Sequence, residues 1–444
     1  MRKTLTTTAL AAVVSVLAVA LAVNPFASAV VPGNNTRVSI TGAGAQSTEN
    51  SGASSMSRNG RFVAFSNPQN NFAGTDTGND GDIFVRDLIN NTVNRVSVST
   101  SGVEANGVSS VPAISETGRY VVFGSFASNL IDGQTISSAF RQLYIRDTAG
   151  NTTTALTEVS AGTFANAHVF PIDVSVDGRF ILLTTSATNM GPTVPSGYTN
   201  LYQIDRVAGT TTWVNAQGAG ITYGYDTNEL NAQMSCDGSF IVFNSSAAYL
   251  GLPSSSHVDV FLMDRRNGDR LTNITGSANG AALRARISCN GNYIGFSSYA
   301  DNLDPMTAGM TLDYHAYRYD RINGGFLLLD QNTSGTIANK RIMNLSTDAL
   351  HLSLSDNGKA VFASEATNLD AITSTGRQLF VRDPEAGTTG LLTRDSGGTV
   401  GNSDSQSAIM SLDGALVSYD SLATNLVASD TNAKRDIFVS ETGF

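Results

Sequence analysis

The chain has 444 residues, enough for two or three ordinary domains or one large repeat array, and its 37 acidic residues outnumber its 27 lysines and arginines. This acidic balance argues against nucleic acid as a partner, because binding to a phosphate backbone requires a basic face. Only 14% of the residues are charged and 42 are glycine, a composition typical of short strands joined by tight turns rather than of helices.

Residues 1–29 have the features of a secretory signal. A positive start, Met1-Arg2-Lys3, precedes an apolar run that ends at Val23, and Pro25 and Ala27-Ser28-Ala29 follow it. The alternative is an uncleaved membrane anchor, since the apolar run is almost long enough to span a bilayer. We predict cleavage, because the proline and the small residues serve no purpose in an anchor. The mature protein is then expected to be secreted or periplasmic, monomeric and without a membrane anchor.

A unit that first appears at 57–87 returns six more times along the chain. Its marker is a turn in which a serine stands three residues before a glycine, with Asn, Asp or, once, Thr directly before the glycine. Asn-Gly and Asp-Gly favour tight hairpins, because glycine adopts positive φ without a Cβ clash. The turn serines are Ser57, Ser115, Ser175, Ser235, Ser288, Ser355 and Ser411, and the glycines are Gly60, Gly118, Gly178, Gly238, Gly291, Gly358 and Gly414.

Each turn is followed by apolar runs that predict strands. Phe62–Phe65 and Asp82–Asp87 are the second and third strands of the first unit, and Asn94–Val98 is an example of a fourth. The apolar runs barely alternate with polar residues, so both faces of each sheet should be buried. Seven units of four strands predict an all-β fold, a seven-bladed β-propeller of four-stranded antiparallel blades over residues 30–444.

The two ends of the chain predict how the ring closes. The seventh unit stops at Phe444 just after its third strand, and Thr36–Ile40 is a near copy of Asn94–Val98 with no unit before it. The N-terminal strand is therefore expected on the outer edge of the last blade, where it covers an otherwise unpaired edge.

An asparagine stands six residues after the end of most second strands. We interpret it as a residue that caps a loop through its side chain rather than as a ligand. The series is Asn71, Asn129, Asn189, Asn302, Asn368 and Asn425.

The Ser-x-Asp-Gly turn, the aromatic and aliphatic strand after it, and the segment Asp82-Ile83-Phe84-Val85-Arg86-Asp87 resemble the TolB-type, WD40-like β-propeller repeat. The resemblance covers nearly all of the mature chain. The family includes periplasmic proteins that bind partners and propellers attached to peptidases or lyases. The resemblance therefore implies an exported, non-catalytic platform for a protein, a glycan or a small polar ligand.

An enzyme, most plausibly a polysaccharide lyase or hydrolase acting at the channel mouth, is the alternative. No Gly-x-Ser-x-Gly motif is present, and the repeats leave no segment for an added hydrolase domain. The four histidines, His168, His257, His315 and His351, fall near different strands, so we do not expect them to converge on a metal ion. We predict no catalytic residues and no metal site.

The acidic loop at 76–82 offers one weak possibility of a bound ion. Asp76, Asp80 and Asp82 resemble part of a calcium loop, although glycine occupies its third position and a strand replaces its second half. Turn chemistry explains the same residues, and we predict no cofactor beyond this possibility.

The two cysteines occupy the same position in consecutive units. Cys236 and Cys289 each lie two residues before the turn glycine, so their turns belong on the same face of neighbouring blades. An even cysteine count in an exported chain favours a disulfide, and two small buried thiols are the alternative. The distance of the turns from the propeller axis decides between them.

The first strands line the channel, and their sequences differ most between units. Five and seven residues before the turn glycine, units one and two have small or aliphatic residues, Ala53, Ser55, Val111 and Ala113. Units three to six have Asp173, Asn231, Gln233, Arg284, Arg286 and His351. Because strand side chains alternate with period two, Arg284 and Arg286 are expected to face the same side. We predict that Asp173, Gln233, Arg284, Arg286 and His351 bind an anionic or polyhydroxy ligand, with a hydrated channel lining as the alternative.

Overall fold

The computed structural model describes residues 34–443 apart from 71, 75–77, 79, 192–198, 216–231, 246–256, 311–313, 341, 343–351 and 371–375. In this part of the chain, seven four-stranded antiparallel sheets form the blades of a β-propeller. Successive inner strands contact each other around the ring, and that of blade 7 contacts that of blade 1. The predicted seven-bladed all-β fold is confirmed.

Each blade runs outward from the channel as an inner, a second, a third and an outer strand. The inner strands are Gly52–Met56, Ser109–Ile114, Val169–Val174, Ala232–Met234, Ala282–Ile287, Leu352–Leu354 and Ser405–Met410. The second strands are Phe62–Asn67, Tyr120–Ser125, Phe180–Thr185, Phe240–Ser245, Tyr293–Ser298, Ala360–Ser364 and Leu416–Ser421. The third strands are Asp82–Asp87, Gln142–Asp147, Asn200–Asp205, Asp259–Asp264, His315–Asp320, Gln378–Asp383 and Asp436–Glu441. The outer strands are Thr92–Arg95, Thr152–Ala155, Thr210–Trp213, Arg270–Asn273, Phe326–Leu328, Thr388–Leu391 and, for blade 7, Asn35–Arg37.

Few other regular elements occur among the described residues. A small hairpin pairs Glu158–Ser160 with Thr163–Phe164, and Arg265–Asn267 and Pro305–Thr307 are short 3₁₀ helices. None of the helices in the described ranges is long and apolar enough to cross a membrane. Residues 1–29 lie outside these ranges, so the secretory signal stays a prediction.

The core lies between adjacent blades, because the second and third strands are buried on both faces. In six blades an aromatic ring on the second strand packs against one on the third, and these rings are each fully buried or nearly so. Burial of such a side chain stabilises the fold by about 1.5–3 kcal/mol. The pairs are Phe65 with Phe84, Phe123 with Tyr144, Phe243 with Phe261, Phe296 with Tyr317, Phe362 with Phe380, and Tyr419 with Phe438.

The hydroxyl of the turn serine forms hydrogen bonds that stabilise the turn between the inner and second strands of each blade. In blade 4 the Ser235 hydroxyl donates to the Asp237 carboxylate at 2.6 Å and accepts from the backbone N–H of Phe240 at 3.0 Å. Gly238 follows with a φ of 71°, the left-handed conformation that the turn requires. All seven turn serines are buried. Their recurrence therefore reflects turn geometry, as the dipeptide pattern predicts.

The repeated asparagine joins two loops. The Asn129 side chain accepts from the backbone N–H of Asn106 at 3.0 Å and donates to the Glu104 carbonyl at 2.8 Å, and the equivalent residues of blades 3, 5, 6 and 7 make the same bonds. The interpretation as a loop cap is confirmed for these blades, although the partner is the loop entering the blade rather than the asparagine's own turn. Asn71 lies outside the described residues.

The N-terminal strand closes the ring as predicted. Asn35, Thr36 and Arg37 pair with Ser440, Val439 and Phe438 of the third strand of blade 7. The Asn35 side chain donates to the carbonyls of Arg394 and Leu426 and accepts from the Tyr419 hydroxyl at 2.7 Å. This outer strand begins one residue earlier than Thr36, and its copy in blade 1 begins at Thr92 rather than Asn94.

Candidate functional site

The propeller has a turn face, formed by the turns between inner and second strands, and a loop face at the opposite end of the channel. At the turn face, the residues that follow the turn serines are joined into a ring. Val176 N–H donates to the Cys236 carbonyl at 3.0 Å, and the chain of bonds continues around the turns. The ring consists of Arg58, Glu116, Val176, Cys236, Cys289, Asp356 and Leu412.

At two steps of the ring, between Arg58 and Glu116 and between Cys289 and Asp356, an acidic side chain takes the place of a direct backbone bond. The Asp356 carboxylate accepts from the backbone N–H of Asn290 at 2.8 Å, and the Glu116 carboxylate is stabilised by the backbone N–H groups of Asn59 and Arg58. Elsewhere the bonds run directly between backbones, with Asp356 to Leu412 and Leu412 to Arg58 both at 2.8 Å. The ring therefore constricts the channel at the turn face.

Cys236 and Cys289 form a disulfide within this ring. Their Cα atoms are 4.6 Å apart, inside the range that a disulfide spans. The structure therefore joins the two cysteines that equivalent positions in blades 4 and 5 had suggested as partners, because the turns lie close to the axis.

A cavity of about 310 Å³ extends from the ring along the inner strands. It is lined by aliphatic residues and by a smaller polar group. The polar lining includes Ser55, Arg58, Glu116, Asp173, Gln233, Arg286, Ser353 and Ser407. Of the predicted ligand residues, Asp173, Gln233 and Arg286 are thus brought together, whereas His351 lies outside the described residues, as does the channel-strand residue Asn231.

Arg284 does not line the cavity, and the period-two expectation for the two arginines is wrong. The strand pairs Leu283 with Ser297 but Arg286 with Gly295, so a β-bulge adds one residue between them. Arg284 occupies the bulge with a φ of 60°. A bulge interrupts the alternation of side chains on which that expectation depended. Ala53, Val111 and Ser407 have the same conformation seven residues before their turn glycines.

Several polar side chains of the channel form hydrogen bonds between neighbouring blades. Gln233 Oε1 accepts from the backbone N–H of Ile287 at 2.9 Å, and Ser353 Oγ accepts from that of Met410 at 3.0 Å. Asp173 accepts from Val174 at 2.9 Å and, across the blade boundary, from Met234 at 3.4 Å. Part of the polar lining therefore satisfies backbone donors that would otherwise be unpaired.

Arg58 supplies the positive charge at the floor of the cavity. Its Nη2 is 3.9 Å from Asp173 Oδ2, too far for a hydrogen bond, and its side chain is 13% exposed. The guanidinium makes no side-chain hydrogen bond to the part of the chain that the structure describes. Burial raises the pKa of the carboxyls of Asp173, Glu116 and Asp356, and the positive charge of Arg58 opposes this shift in all three.

Glu116 presents a second unsatisfied group beside Arg58. One carboxylate oxygen accepts from the turn backbone, but Oε2 is buried without a hydrogen-bond partner among the described residues. Burying an oxygen of this kind destabilises the fold unless a hydrogen-bond donor pairs with it. The floor of the cavity thus offers both a cation and acceptor oxygens. Arg58 and Glu116 were not among the residues predicted from the sequence, although both occupy the variable position of the Ser-x-Asp-Gly turn.

In the described part of the acidic loop, an arginine lies beside the aspartate. Asp76 lies outside the described residues. Asp82 accepts from the Ser97 hydroxyl at 2.6 Å and lies 3.2 Å from Arg95 Nε, and Arg95 also pairs with Glu104 at 2.8 Å. An arginine therefore already supplies positive charge to Asp82, and the prediction that the protein has no cofactor stays a prediction.

The described histidines occupy separate places. His168 lies exposed on the loop face, His257 is 3.3 Å from the Tyr299 hydroxyl, and His315 is buried 2.8 Å from Asp330. Within the described ranges, no three His, Cys, Asp or Glu residues are grouped so that they could hold a metal ion. His351 lies outside the described residues, so the absence of a metal site stays a prediction.

No family model matches the chain, and no curated protein matches its sequence. Solved structures match its fold. The β-propeller domain of the trilobed protease from Pyrococcus furiosus is 12% identical over 88% of this chain and 95% of that domain, with a TM-score of 0.51. Oligogalacturonate lyase in complex with manganese is 12% identical over 92% and 91%, with a TM-score of 0.47. A putative TolB from Agrobacterium tumefaciens is 16% identical over 79% and 94%, with a TM-score of 0.37.

From the Pyrococcus domain we take the propeller fold alone. That domain has an open velcro topology, whereas here the strand Asn35–Arg37 completes blade 7. The other two structures resemble the chain too loosely to inform its function.

Proposed function

We propose that this protein is an exported, non-catalytic propeller that binds a small sugar acid in its central channel. The observation that carries the proposal is Arg58, a partly buried guanidinium whose nearest carboxylate among the described residues, that of Asp173, is 3.9 Å away. A guanidinium in a confined cavity is stabilised by an anion that forms two parallel hydrogen bonds with it. A ligand carboxylate supplies such a partner.

The acceptors around Arg58 favour hydroxyl groups on the same ligand. Glu116 Oε2 has no hydrogen-bond partner among the described residues, and Asp173 is held at the cavity wall with its side chain 18% exposed. In this proposal Asp173 accepts hydrogen bonds from ligand hydroxyls, and Glu116 adds negative charge beside Arg58 at the floor of the cavity. Ligand pockets usually measure about 300–1,000 Å³, so a cavity of about 310 Å³ suits one sugar unit rather than a polymer.

Titration calorimetry with D-glucuronate, D-glucose and acetate tests the proposal. We expect D-glucuronate to bind more tightly than either of the others, because only it combines the carboxylate with several hydroxyls. Arg58→Gln should weaken D-glucuronate binding at least about tenfold, the effect of losing one charged hydrogen bond. Arg284→Gln is the matched control, since this arginine lies in an inner strand but does not line the cavity.

Two results would overturn the proposal. The first is equal binding of D-glucuronate by the parent and by Arg58→Gln, or no binding by the parent. The second is release of reducing ends or unsaturated products from an acidic polysaccharide by the purified parent. That result would assign the protein to the enzymes that act on extracellular polymers.

A further inference from the structure

A half-exposed aromatic patch lies on the loop face between blades 2 and 3, outside the channel. Phe126 follows the second strand of blade 2, Phe140 and Arg141 precede its third strand, and His168 and Phe170 begin blade 3. The imidazole of His168 is 5.5 Å from both the Phe126 and the Phe140 ring, nearly perpendicular to each. We call these five residues the Arg141 patch.

The guanidinium of Arg141 lies between two rings. Its carbon is 5.3 Å from the Phe126 centroid and 4.7 Å from that of Phe170. Such cation–π contacts hold the side chain in place but do not neutralise its charge. Glycine at position 124 provides the space for the Arg141 side chain, because a Cβ atom there would lie only 2.6 Å from Arg141 Cδ.

Arg141 has no acidic partner in the part of the chain that the structure describes. Its Nε is buried without a hydrogen bond, and burial lowers the pKa of its guanidinium. Arg119 and Arg179, by contrast, each form two-point contacts with an aspartate. A partly desolvated charge without a counter-ion is costly. The patch therefore contains a cation in position to receive an anion from outside the chain.

The backbone around the patch is fixed. The backbone N–H of Arg141 donates to His168 Nδ1 at 3.0 Å, and that of Val169 donates to the Arg141 carbonyl at 3.0 Å. Because Nδ1 is an acceptor, the neutral imidazole carries its proton on Nε2, which adds a donor. Beside these polar groups lies the apolar ring of Phe140, which is 37% exposed.

We propose that the Arg141 patch binds a peptide segment of a partner protein in which one carboxylate lies next to an apolar side chain. The carboxylate pairs with Arg141, and the apolar side chain packs on Phe140. The net charge of the whole chain is −10, which disfavours a polyanion such as an acidic polysaccharide. A ligand with a single negative charge avoids most of this repulsion. The proposal does not depend on the channel ligand.

A peptide array provides the test. The probes are C-terminal amides of the form acetyl-Gly-Ser-X-Asp-X-Ser-Gly, where X is Phe, Leu, Ile or Trp, each paired with its Asn counterpart and accompanied by a hexuronate trisaccharide. We expect the parent to bind a subset of the Asp peptides at least about tenfold more tightly than the Asn peptides. Arg141→Gln should abolish this preference, and Phe140→Ser should weaken binding of both sets. Val207→Ser is the control, since Val207 is 70% exposed in a turn at the opposite face.

A melting measurement separates binding from a structural role. Arg141→Gln should melt close to the temperature of the parent, because the loss of its contacts with the Phe126 and Phe170 rings offsets the removal of a charge without an acidic partner. A fall of several degrees would mean that Arg141 is mainly structural and would overturn the proposal. So would the absence of any Asp over Asn preference in the parent, or a stronger affinity for the trisaccharide. Arg58→Gln should leave peptide binding unchanged, so failure of this site and failure of the channel site are distinguishable.

Discussion

Removal of the disulfide between blades 4 and 5 should lower the stability of the ring by a measurable amount. The bridge joins residues 53 positions apart and lies in the hydrogen-bonded ring at the turn face. For a loop of this length the chain-entropy relation gives about 4 kcal/mol at 25 °C. The unfolding entropy of a chain of this size converts that value into a fall of about 5 °C in the melting temperature.

The variant to measure is Cys236→Val with Cys289→Val, because Val176 already stands at the same position in blade 3. Differential scanning calorimetry of the variant should show the fall of about 5 °C, and reduction of the parent should reproduce it. Val176→Ala is the matched control, since it changes the ring without removing a bridge, and it should shift the melting temperature much less. Two free thiols in the non-reduced parent by mass spectrometry, or a variant as stable as the oxidised parent, would refute the reasoning.

Two further predictions concern charge and ring closure. Hydrogen bonds from Arg119 bring the pKa of Asp147 to about 2, below its unfolded value, so its contribution to stability is present above that unfolded value and is lost as pH falls towards 2. Asp147→Asn should therefore lose less stability than the parent between pH 4.5 and 2 in thermal unfolding, and equal losses would contradict this. Asn35→Ala removes hydrogen bonds to Arg394, Leu426 and Tyr419 and should cost about 2–3 kcal/mol in denaturant unfolding, whereas the exposed Thr36→Ala should cost little. Equal effects of the two variants would argue against Asn35 as the residue that secures the closing strand.

The fold was predictable because its signals are local and repeated. Residues such as Ser235, Asp237 and Gly238 predict a turn because of their own side-chain and backbone preferences. Seven such turns predict seven blades. The N-terminal strand was predictable for the same reason, since Thr36–Ile40 repeats a known outer strand. Exposed loops carry no comparable constraint, and the sequence accordingly said least about them.

The site was less predictable because it depends on departures from regular geometry. Period two places Arg284 beside Arg286, but the bulge at Arg284 reverses that expectation. Arg58 and Glu116 stand in a turn, and only the narrow ring directs them into the channel. The sequence identified Asp173 and Gln233 as channel residues but not their bonds to the next blade. Pairing of Cys236 with Cys289 depended on the radius of the ring, which the repeat length does not give.

The most direct test of the channel as a ligand site is a crystal structure of the parent grown with D-glucuronate. We predict electron density for the sugar acid in the cavity, with its carboxylate within hydrogen-bond distance of the Arg58 guanidinium and its hydroxyls close to Glu116 and Asp173. Density only on the outer surface, or a sugar bound in the channel with its carboxylate turned away from Arg58, would contradict the proposed function.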